Sequence, residues 1–355
     1  MNKKEIHAIG LMSGTSLDGL DMVYVKFQKH NSYHFEILAK STDSYSQEWK
    51  DRLKNAIHLN SDSLHQLDLQ YGNYLAVKVK EFIHKEGIQN LDFIASHGHT
   101  IFHQPEKGIT KQIGNGQKIA DINNRIVVAD FRTQDVQLGG QGAPLVPIGD
   151  RWLFGRYDAC VNLGGFANIS FEENGLRKAF DICPVNVVLN SYSQKLGLVY
   201  DNAGFLASTG SLDMKVLNQL NRLDYYQKIP PKSLGIEWVH AAVFPILNPI
   251  SSPKDAMRTF VEHTAMQIAK TMENFKSVLF TGGGVYNDFL MNRIRFYSKA
   301  ECIIPDSDTI EYKEALIFAF LGLLKLQNKV NCLSSVTGSL KDHSSGVIFQ
   351  PNYSK

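Results

Sequence analysis

The chain has 355 residues, 43% of them hydrophobic and 20% charged, with Lys+Arg 37 against Asp+Glu 35. This balance excludes the large basic surplus that is typical of nucleic-acid-binding and membrane-surface proteins, so we expect neither partner. The length exceeds what a single hydrophobic core usually supports, and it predicts two domains.

Cysteine usage and the first residues predict a cytoplasmic protein. The four cysteines, Cys160, Cys183, Cys302 and Cys332, lack metal-ligand spacing, which is typical of free thiols in a reducing compartment. The charged start leads directly into an apolar strand, without the longer apolar stretch of a signal peptide. No window approaches the roughly 18 apolar residues that a membrane span needs.

Hydrophobic periodicity predicts alternating strands and helices in the first part of the chain. The predicted strands are residues 6–9, 20–25, 35–41, 91–96, 118–120 and 125–129. The predicted helices are residues 47–59 and 61–85. The strand at 91–96 is expected to end at His97-Gly98, which places the histidines that follow on a loop.

The same plan starts again near Asp158. The predicted strands are residues 158–163, 167–171 and 277–280, and the predicted helices are residues 184–196, 211–221, 252–275 and 313–327. We therefore predict an internal duplication that is hinged near residues 130–150. The predicted domains are residues 1–135 and 136–335, and a tail of residues 336–355 is expected to pack back on the first domain.

The segment Gly10-Leu-Met-Ser-Gly-Thr-Ser-Leu-Asp-Gly19 lies between the first two predicted strands. Its glycines and hydroxyl residues indicate a loop whose backbone N–H groups can approach a phosphate. Asp18 and Asp21 add carboxylates that can hold Mg²⁺ beside that phosphate. No Gly-Lys-Ser/Thr follows, so the loop is not a Walker A motif. An ordinary glycine-rich hairpin is the alternative interpretation.

Two further glycine turns occur in the second half of the chain. Asn162-Leu-Gly-Gly165 follows a strand and precedes another, as the first loop does. Leu279-Phe-Thr-Gly-Gly-Gly284 ends a buried strand ahead of a helix that is predicted to begin at Asn287 or Asp288. Such a turn lets a nucleotide lie against the backbone.

Together the three turns resemble the sugar kinase/Hsp70/actin superfamily. The resemblance implies an α/β, two-domain actin-like ATPase fold, in which a ribonuclease H-like plan is duplicated, and an interdomain cleft that holds ATP. The residues that it assigns to nucleotide binding are Gly14, Thr15, Ser16, Leu17, Asp18, Gly19, Asn162, Gly164, Gly165, Gly282, Gly283, Gly284 and Asn287. Asp18 is also the candidate Mg²⁺ ligand.

Longer blocks narrow the resemblance. The opening segment, Ser96-His-Gly-His-Thr-Ile-Phe-His-Gln-Pro105 and Val128-Ala-Asp-Phe-Arg-Thr-Gln-Asp-Val136 are similar to successive blocks of the anhydro-N-acetylmuramic acid kinases. Further blocks, including Glu314-Ala-Leu-Ile-Phe-Ala319, follow in the family's order. The resemblance implies a homodimeric kinase that uses ATP and Mg²⁺. It would open the 1,6-anhydro bond of the sugar with water and phosphorylate O6, giving N-acetylmuramic acid 6-phosphate in peptidoglycan recycling.

The same resemblance assigns the catalytic base to Asp181, whose type suits deprotonation of the attacking water. A helix N-cap is the alternative role for Asp181. The residues assigned to the amino-sugar substrate are His97, Arg132, Asn186 and Glu314.

Other roles stay open for several of these residues. Arg132 can pair with the substrate carboxylate or form a salt bridge with Asp130 or Asp135. Glu314 can reach the sugar or complement the dipole of a helix that it begins. His97, His99 and His103 lack a fourth ligand for zinc and are expected to contact the sugar or brace the cleft. Residues 139–144 are expected to order around substrate or to act as a hinge.

The chain departs from the family pattern after the predicted base. The family usually has Phe-Asp-Thr-Gly-Pro-Gly-Asn, where this chain has Phe180-Asp-Ile-Cys-Pro-Val-Asn186. The lost glycines add side chains where we expect backbone to pass close to sugar or phosphate. The same reaction, a shifted sugar preference and an impaired catalyst are the three outcomes. An ATP-binding sugar sensor without turnover, a kinase for another sugar and, last, a glycosidase are the alternative functions.

Overall fold

The alternating apolar residues of the first half form a seven-stranded sheet in a computed structural model of the chain. The structure describes residues 3–30 and 32–352. The strands of this sheet are β1 (Glu5–Ser13), β2 (Gly19–Lys29), β3 (Tyr33–Ser44), β4 (Phe93–Gln104), β5 (Ile109–Ile113), β6 (Ile126–Ala129) and β12 (Val347–Phe349). They lie in the order β12-β6-β4-β1-β2-β3, and β5 pairs with β4.

The second half forms a five-stranded sheet in the order β11-β10-β7-β8-β9. Its strands are β7 (Ala159–Leu163), β8 (Phe166–Glu173), β9 (Leu176–Pro184), β10 (Ser277–Thr281) and β11 (Glu301–Ile303). Strands β7, β8 and β9 are antiparallel neighbours, whereas β10 is parallel to both β7 and β11.

The first sheet repeats this plan, because β1, β2 and β3 are antiparallel and β4 is parallel to both β1 and β6. Both halves therefore place three antiparallel strands beside two parallel ones in the same order. The predicted α/β duplication is confirmed. Strand β12 pairs with β6, so the end of the described chain joins the first sheet.

Fourteen α-helices are described among residues 3–30 and 32–352. In the first half they are α1 (Gln47–Asn55), α2 (Ser61–Lys85), α3 (Gly116–Asn123), α4 (Thr133–Gln137) and α5 (Val146–Leu153). In the second half they are α6 (Asn186–Gln194), α7 (Phe205–Ser208), α8 (Met214–Asn221), α9 (Ile236–Trp238), α10 (Phe244–Leu247), α11 (Pro253–Thr271), α12 (Asp288–Tyr297), α13 (Ser307–Leu326) and α14 (Ser334–Thr337). None of these helices has the length and hydropathy that a membrane crossing requires.

The chain divides into two compact units. The first consists of Met1–Leu153 and Tyr312–Lys355, and the second consists of Phe154–Glu311. The first unit therefore extends beyond the predicted limit at residue 135, because α4 and α5 belong to it. The second ends before the predicted limit at residue 335, because most of α13 and all of α14 belong to the first unit.

Three predicted elements differ from the structure. Residues 118–120, predicted as a strand, lie in α3, because Asn115 caps a helix by accepting the amide of Lys118 (3.1 Å). Strand β4 continues through His97 to Gln104, since its second half pairs with β5, which had not been predicted. Helix α13 begins at Ser307, so Glu314 lies inside this helix and does not begin it.

Helix α13 packs closely on the first sheet at Gly10 of β1. A Cβ added at Gly10 would lie 2.0 Å from the carbonyl oxygen of Ala315. Two turns later, a Cβ at Gly322 would lie 2.8 Å from the side chains of Ala95 and Phe93 in β4. Glycines therefore set the distance between this helix and the sheet.

The core of the second unit contains the residues that depart from the family pattern. Ile182, Cys183 and Val185 are 2%, 0% and 0% exposed and belong to the hydrophobic cluster between the sheet and its helices. Their side chains thus fill the core, contrary to the expectation that they lie where sugar or phosphate approaches. The change from glycine is a change of core packing.

We expect Gly10→Ala to lower the free energy of unfolding by about 3 kcal/mol or more, because the new methyl group meets backbone that cannot move alone. Gly14→Ala is the control, since its Cβ would lie 3.4 Å from the Ser16 hydroxyl and 4.0 Å from the Ser16 amide nitrogen, which are ordinary contact distances. The control should change stability by about 1 kcal/mol or less. Urea unfolding measures both, and equal losses would contradict the close packing.

We expect Val185→Gly to lower the free energy of unfolding by about 2–4 kcal/mol, because it deletes a buried side chain and adds backbone freedom. Val199→Gly makes the same chemical change at a residue that is 76% exposed, and it should cost about 1 kcal/mol or less. Thermal unfolding compares the two variants. A Val185→Gly protein as stable as the control would show that this position does not support the core.

Candidate active site

The predicted phosphate loop of the first unit joins β1 to β2. The amide of Leu17 donates to the carbonyl of Gly14 (3.3 Å), and Leu17 has φ 61°. The Leu17 side chain packs against the first unit's core, whereas Thr15, Ser16 and Asp18 are exposed. A partly buried side chain therefore holds a tight turn whose polar residues remain open to a ligand.

Gly19, at the end of this loop, has a packing role. A Cβ at Gly19 would lie 2.6 Å from the carbonyl oxygen of Asp43 on the neighbouring strand. Gly14 has no comparable contact. The glycines of one motif thus serve different purposes.

The two glycine turns of the second unit lie against one another. A Cβ at Gly282 would lie 2.6 Å from the Asn162 side-chain oxygen, and one at Gly284 would lie 2.7 Å from Leu163 Cβ. Gly282 also has φ 84°, which favours glycine. The structure therefore brings together the second and third predicted motifs.

Gly283, between these two residues, is exposed, and an added Cβ would meet no protein atom within 4 Å. Its φ is outside the left-handed region. The fold of the free protein thus gives no reason for glycine at this position. The open backbone fits a flat or charged ligand group that approaches the turn.

Asn287 follows the third turn and caps α12, which begins at Asp288, one of the two predicted starts. Its side-chain oxygen accepts the amide of Leu290 at 2.9 Å. A Cβ on Gly204 would lie 2.1 Å from the same oxygen. This oxygen of Asn287 is therefore occupied by the protein.

The second glycine turn also fixes the start of α6. The amides of Val185 and Val187 donate to the Gly165 carbonyl at 2.8 and 3.3 Å, and the amide of Asn186 donates to the Gly164 carbonyl at 3.4 Å. Helix α6 begins at Asn186, two residues after the predicted start at Pro184. Asn186 is held half-buried beside the turn.

Asp181 lies within β9 and is half-buried. Its side-chain oxygen accepts the amide of Leu234 (2.9 Å), and its own carbonyl accepts the Tyr225 hydroxyl (2.5 Å). Val185 is the N-cap residue of α6, so the interpretation of Asp181 as a helix cap was wrong. Burial raises the pKa of the Asp181 carboxyl, and the Leu234 amide partly opposes this effect.

Sequence reasoning missed the partners of Asp181. Tyr225 and Leu234 lie in segments that carry no motif, and Lys232 accepts the Asp181 amide at its carbonyl (3.2 Å). The ammonium of Lys232 lies 4.7 Å from the centre of the Tyr225 ring. No local pattern in the sequence could have linked these residues to β9.

Arg132 and His97, two of the residues predicted to bind the sugar, are hydrogen-bonded to each other in the first unit. Arg132 Nε donates to His97 Nε2 at 3.0 Å, and Arg132 Nη1 donates to the Gly142 carbonyl at 2.6 Å. His97 Nδ1 can then donate to the Gly98 carbonyl (3.0 Å). Burial, assisted by the charge of Arg132, holds the pKa of His97 well below its usual range, so this ring is neutral.

Glu314 interacts electrostatically with Arg132. Burial raises the pKa of the Glu314 carboxyl, and the attraction of Arg132 opposes the rise, while Asp21 adds to it. Glu314 nevertheless retains solvent exposure. Because Glu314 lies inside α13, its proposed role at the start of a helix was wrong.

No salt bridge joins Arg132 to Asp130 or Asp135 among the described residues. The salt bridge that was the alternative role for Arg132 is thus not observed. Asp135 instead accepts the amide of Gly142 at 2.6 Å, which holds part of the segment 139–144.

His99, the second of the three histidines in β4, has different hydrogen-bond partners from His97. The Ser13 hydroxyl is hydrogen-bonded to His99 Nδ1 at 2.8 Å and accepts the Tyr45 hydroxyl at 2.7 Å. Burial lowers the pKa of His99 to about 4. All three histidines lie on the strand, so their expected place on a loop was wrong. Among the described residues they form no group that could hold a metal ion.

Comparisons with known proteins agree with the sequence blocks. The model of the anhydro-N-acetylmuramic acid kinase family matches residues 6–351. The anhydro-N-acetylmuramic acid kinase of Mannheimia succiniciproducens is 33% identical over 96% of this chain and 98% of its own length. That of Vibrio cholerae is 33% identical over 99% of this chain and 100% of its own.

A solved structure is also distantly similar to this chain. Component A of the Acidaminococcus fermentans (R)-2-hydroxyglutaryl-CoA dehydratase aligns with a TM-score of 0.45 and 13% identity. The alignment covers 88% of this chain and 96% of that one. The family match and the identities confirm the resemblance that the motifs indicated: the chain belongs to the anhydro-N-acetylmuramic acid kinase family, and it is a sugar kinase.

Proposed function

We propose that this chain uses ATP, Mg²⁺ and water to convert 1,6-anhydro-N-acetylmuramic acid to N-acetylmuramic acid 6-phosphate in peptidoglycan recycling. The reaction consumes one water and releases ADP. The half-buried Asp181 with a raised pKa, carried on β9 beside the start of α6, is the observation that carries the mechanism. A cytoplasmic location and a homodimer stay predictions from the family resemblance.

Asp181 acts as the general base. Its carboxylate takes a proton from the water that attacks the anomeric carbon, the bond from that carbon to O6 breaks, and O6 accepts the γ-phosphoryl group. A base is more effective when its pKa lies closer to the working pH, and burial shifts the pKa of Asp181 in that direction. The Leu234 amide holds one oxygen and orients the carboxylate.

Arg132 and Glu314 bind the sugar from the first unit. Arg132 Nε and Nη1 are held by His97 and Gly142, while Nη2 has no acceptor among the described residues. A guanidinium held in this way can offer its remaining donors to the substrate's carboxylate. Because His97 is neutral, it holds Arg132 without competing for an anion.

The glycine turns bind the nucleotide. The exposed residues Thr15 and Ser16 and the open backbone at Gly283 suit phosphate and nucleotide groups respectively. Asp18 is an exposed carboxylate in the first loop and fits a hard divalent cation. When bound, Mg²⁺ neutralises charge on the transferred phosphoryl group.

Asp181→Asn should lower sugar-dependent ADP release by about 10²–10⁴-fold, because the amide cannot take the proton from water. Asp62→Asn is the control, since Asp62 is an exposed carboxylate in the first turn of α2. Coupled ADP detection with Mg-ATP and the anhydro sugar measures the rate. ATP affinity should be unchanged in both variants. Undiminished turnover by Asp181→Asn rejects its role as the base.

Wild-type turnover is measured first in the same assay. Sugar-dependent ADP release would support the reaction with the Ile182, Cys183 and Val185 changes in place. ATP binding without sugar-dependent turnover would favour a sensor. Turnover only with another sugar would favour a shifted substrate.

Gly283→Ala should weaken Mg-ATP binding by at least about tenfold, or roughly 1.4 kcal/mol. The new methyl group would occupy space that is open in the free protein. The melting temperature without nucleotide should be unchanged or slightly higher, because the backbone already suits alanine. Calorimetric titration measures the affinity, and Gly14→Ala tests the first loop in parallel. Unchanged affinity in both variants argues against nucleotide binding at these turns.

A further inference from the structure

A buried cluster in the first unit combines three metal-binding side chains. Asp135, Cys332 and His343 are 0%, 1% and 6% exposed. One carboxylate oxygen, the Sγ atom and one ring nitrogen all lie within 4.8 Å of one another. The proposed catalysis uses none of these three groups.

His343 has a buried nitrogen without a hydrogen-bond partner. Its Nδ1 lies 3.1 Å from the Lys341 carbonyl, which only accepts, so Nδ1 carries a proton. No described group forms a hydrogen bond with Nε2. This nitrogen lies 3.6 Å from Asp135 Oδ1. These two atoms repel one another unless a proton on Nε2 or a metal ion lies between them.

Asp135 also accepts three hydrogen bonds, all from uncharged donors. Its Oδ2 accepts the Gly142 amide, while Oδ1 lies 2.7 Å from the Thr337 hydroxyl and 3.0 Å from Cys332 Sγ. The carboxylate is fully buried. Buried charge needs compensation by an opposite charge or a metal ion.

We propose that Asp135 Oδ1, Cys332 Sγ and His343 Nε2 bind a structural zinc ion. Thiolate, imidazole and carboxylate are the ligands that zinc takes, at about 2.0–2.3 Å. Ligand atoms around such an ion lie about 3.3–3.7 Å apart, close to the observed 3.0 and 3.6 Å. The Thr337 hydroxyl donates to Asp135 Oδ1 at 2.7 Å and would have to turn towards the ion to serve as a fourth ligand.

The charges of the three ligands would balance the charge of a zinc ion in this buried cluster. A divalent cation with one thiolate, one carboxylate and a neutral imidazole has no net charge. Burial and the neighbouring Asp135 raise the pKa of Cys332, so the metal-free cluster holds a thiol. Binding breaks the S–H bond, forms the sulfur–zinc bond and releases one proton to solvent.

The ion would connect the segment that carries Cys332 and His343 to the loop at Gly142. Asp135 Oδ2 holds the Gly142 amide, and the Gly142 carbonyl accepts Arg132 Nη1. Zinc therefore stabilises the loop whose Gly142 carbonyl holds Arg132, and it does not contact the substrate. Its role is structural.

The test uses the full chain purified without a polyhistidine tag or chelator. Elemental analysis should find about one zinc per chain, and zinc added to metal-free protein should raise the melting temperature by about 5 °C. Cys332→Ser and His343→Gln should each weaken zinc binding by about 100-fold or more. Cys302→Ser is the control, because this thiol lies in the second unit, outside the cluster, and donates to the Ala300 carbonyl.

Cobalt substitution keeps the test decisive if the variants fail to fold. Co²⁺ added to metal-free wild-type protein should give a thiolate-to-cobalt absorption band and a tetrahedral visible spectrum, both retained in Cys302→Ser. Zinc well below one per chain, equal affinity in the wild type and both ligand variants, or a cobalt complex without the thiolate band would overturn the proposal. The cluster would then be a buried hydrogen-bond network only.

Discussion

The close approach of helix α13 to strand β1 at Gly10 is the contact that positions Glu314, one of the proposed sugar-binding residues of the first unit. Gly10 lies against the carbonyl of Ala315, so the neighbouring Glu314 is positioned by the same contact. A side chain at residue 10 would push this turn of the helix outward. Glu314 would then move relative to Arg132, which attracts it. Packing of the core therefore sets the distance over which Arg132 attracts Glu314.

Arg132 is held by contacts that leave its charge available. His97 accepts from Nε as a neutral ring, and the Gly142 carbonyl accepts from Nη1. Neither partner is an anion, so neither neutralises the guanidinium. Asp135 acts one step further away, because it fixes the amide of Gly142. A cation supported by neutral groups can still bind an anionic substrate strongly.

Local patterns were enough to predict much of the fold. Helix α2 has the predicted bounds Ser61–Lys85, and α12 begins at Asp288 with Asn287 as its cap. The repeated order of strand, glycine turn and strand predicted the duplication. These features depend on neighbouring residues, whose periodicity and capping are visible in one segment.

Features that depend on distant partners could not be predicted. Strand β4 continues through three histidines because β5 pairs with it. The residues around Asp181 come from the segment of Tyr225 and Leu234, more than 40 positions away. The cluster of Asp135 and Cys332 joins residues that are 197 positions apart. Spacing along the chain carries no signal for such contacts.

The residues that depart from the family motif have an effect that depends on where their side chains lie in the structure. In the sequence, Cys183 and Val185 replace glycines beside the predicted base, and obstruction of the ligand was the natural expectation. In the structure both side chains point into a core that has room for them, whereas Asp181 and Asn186 stay half-buried. Asp181 and Asn186, which this chain shares with the family motif, are therefore still open to a ligand. This division favours an unchanged reaction on a repacked core over an impaired catalyst.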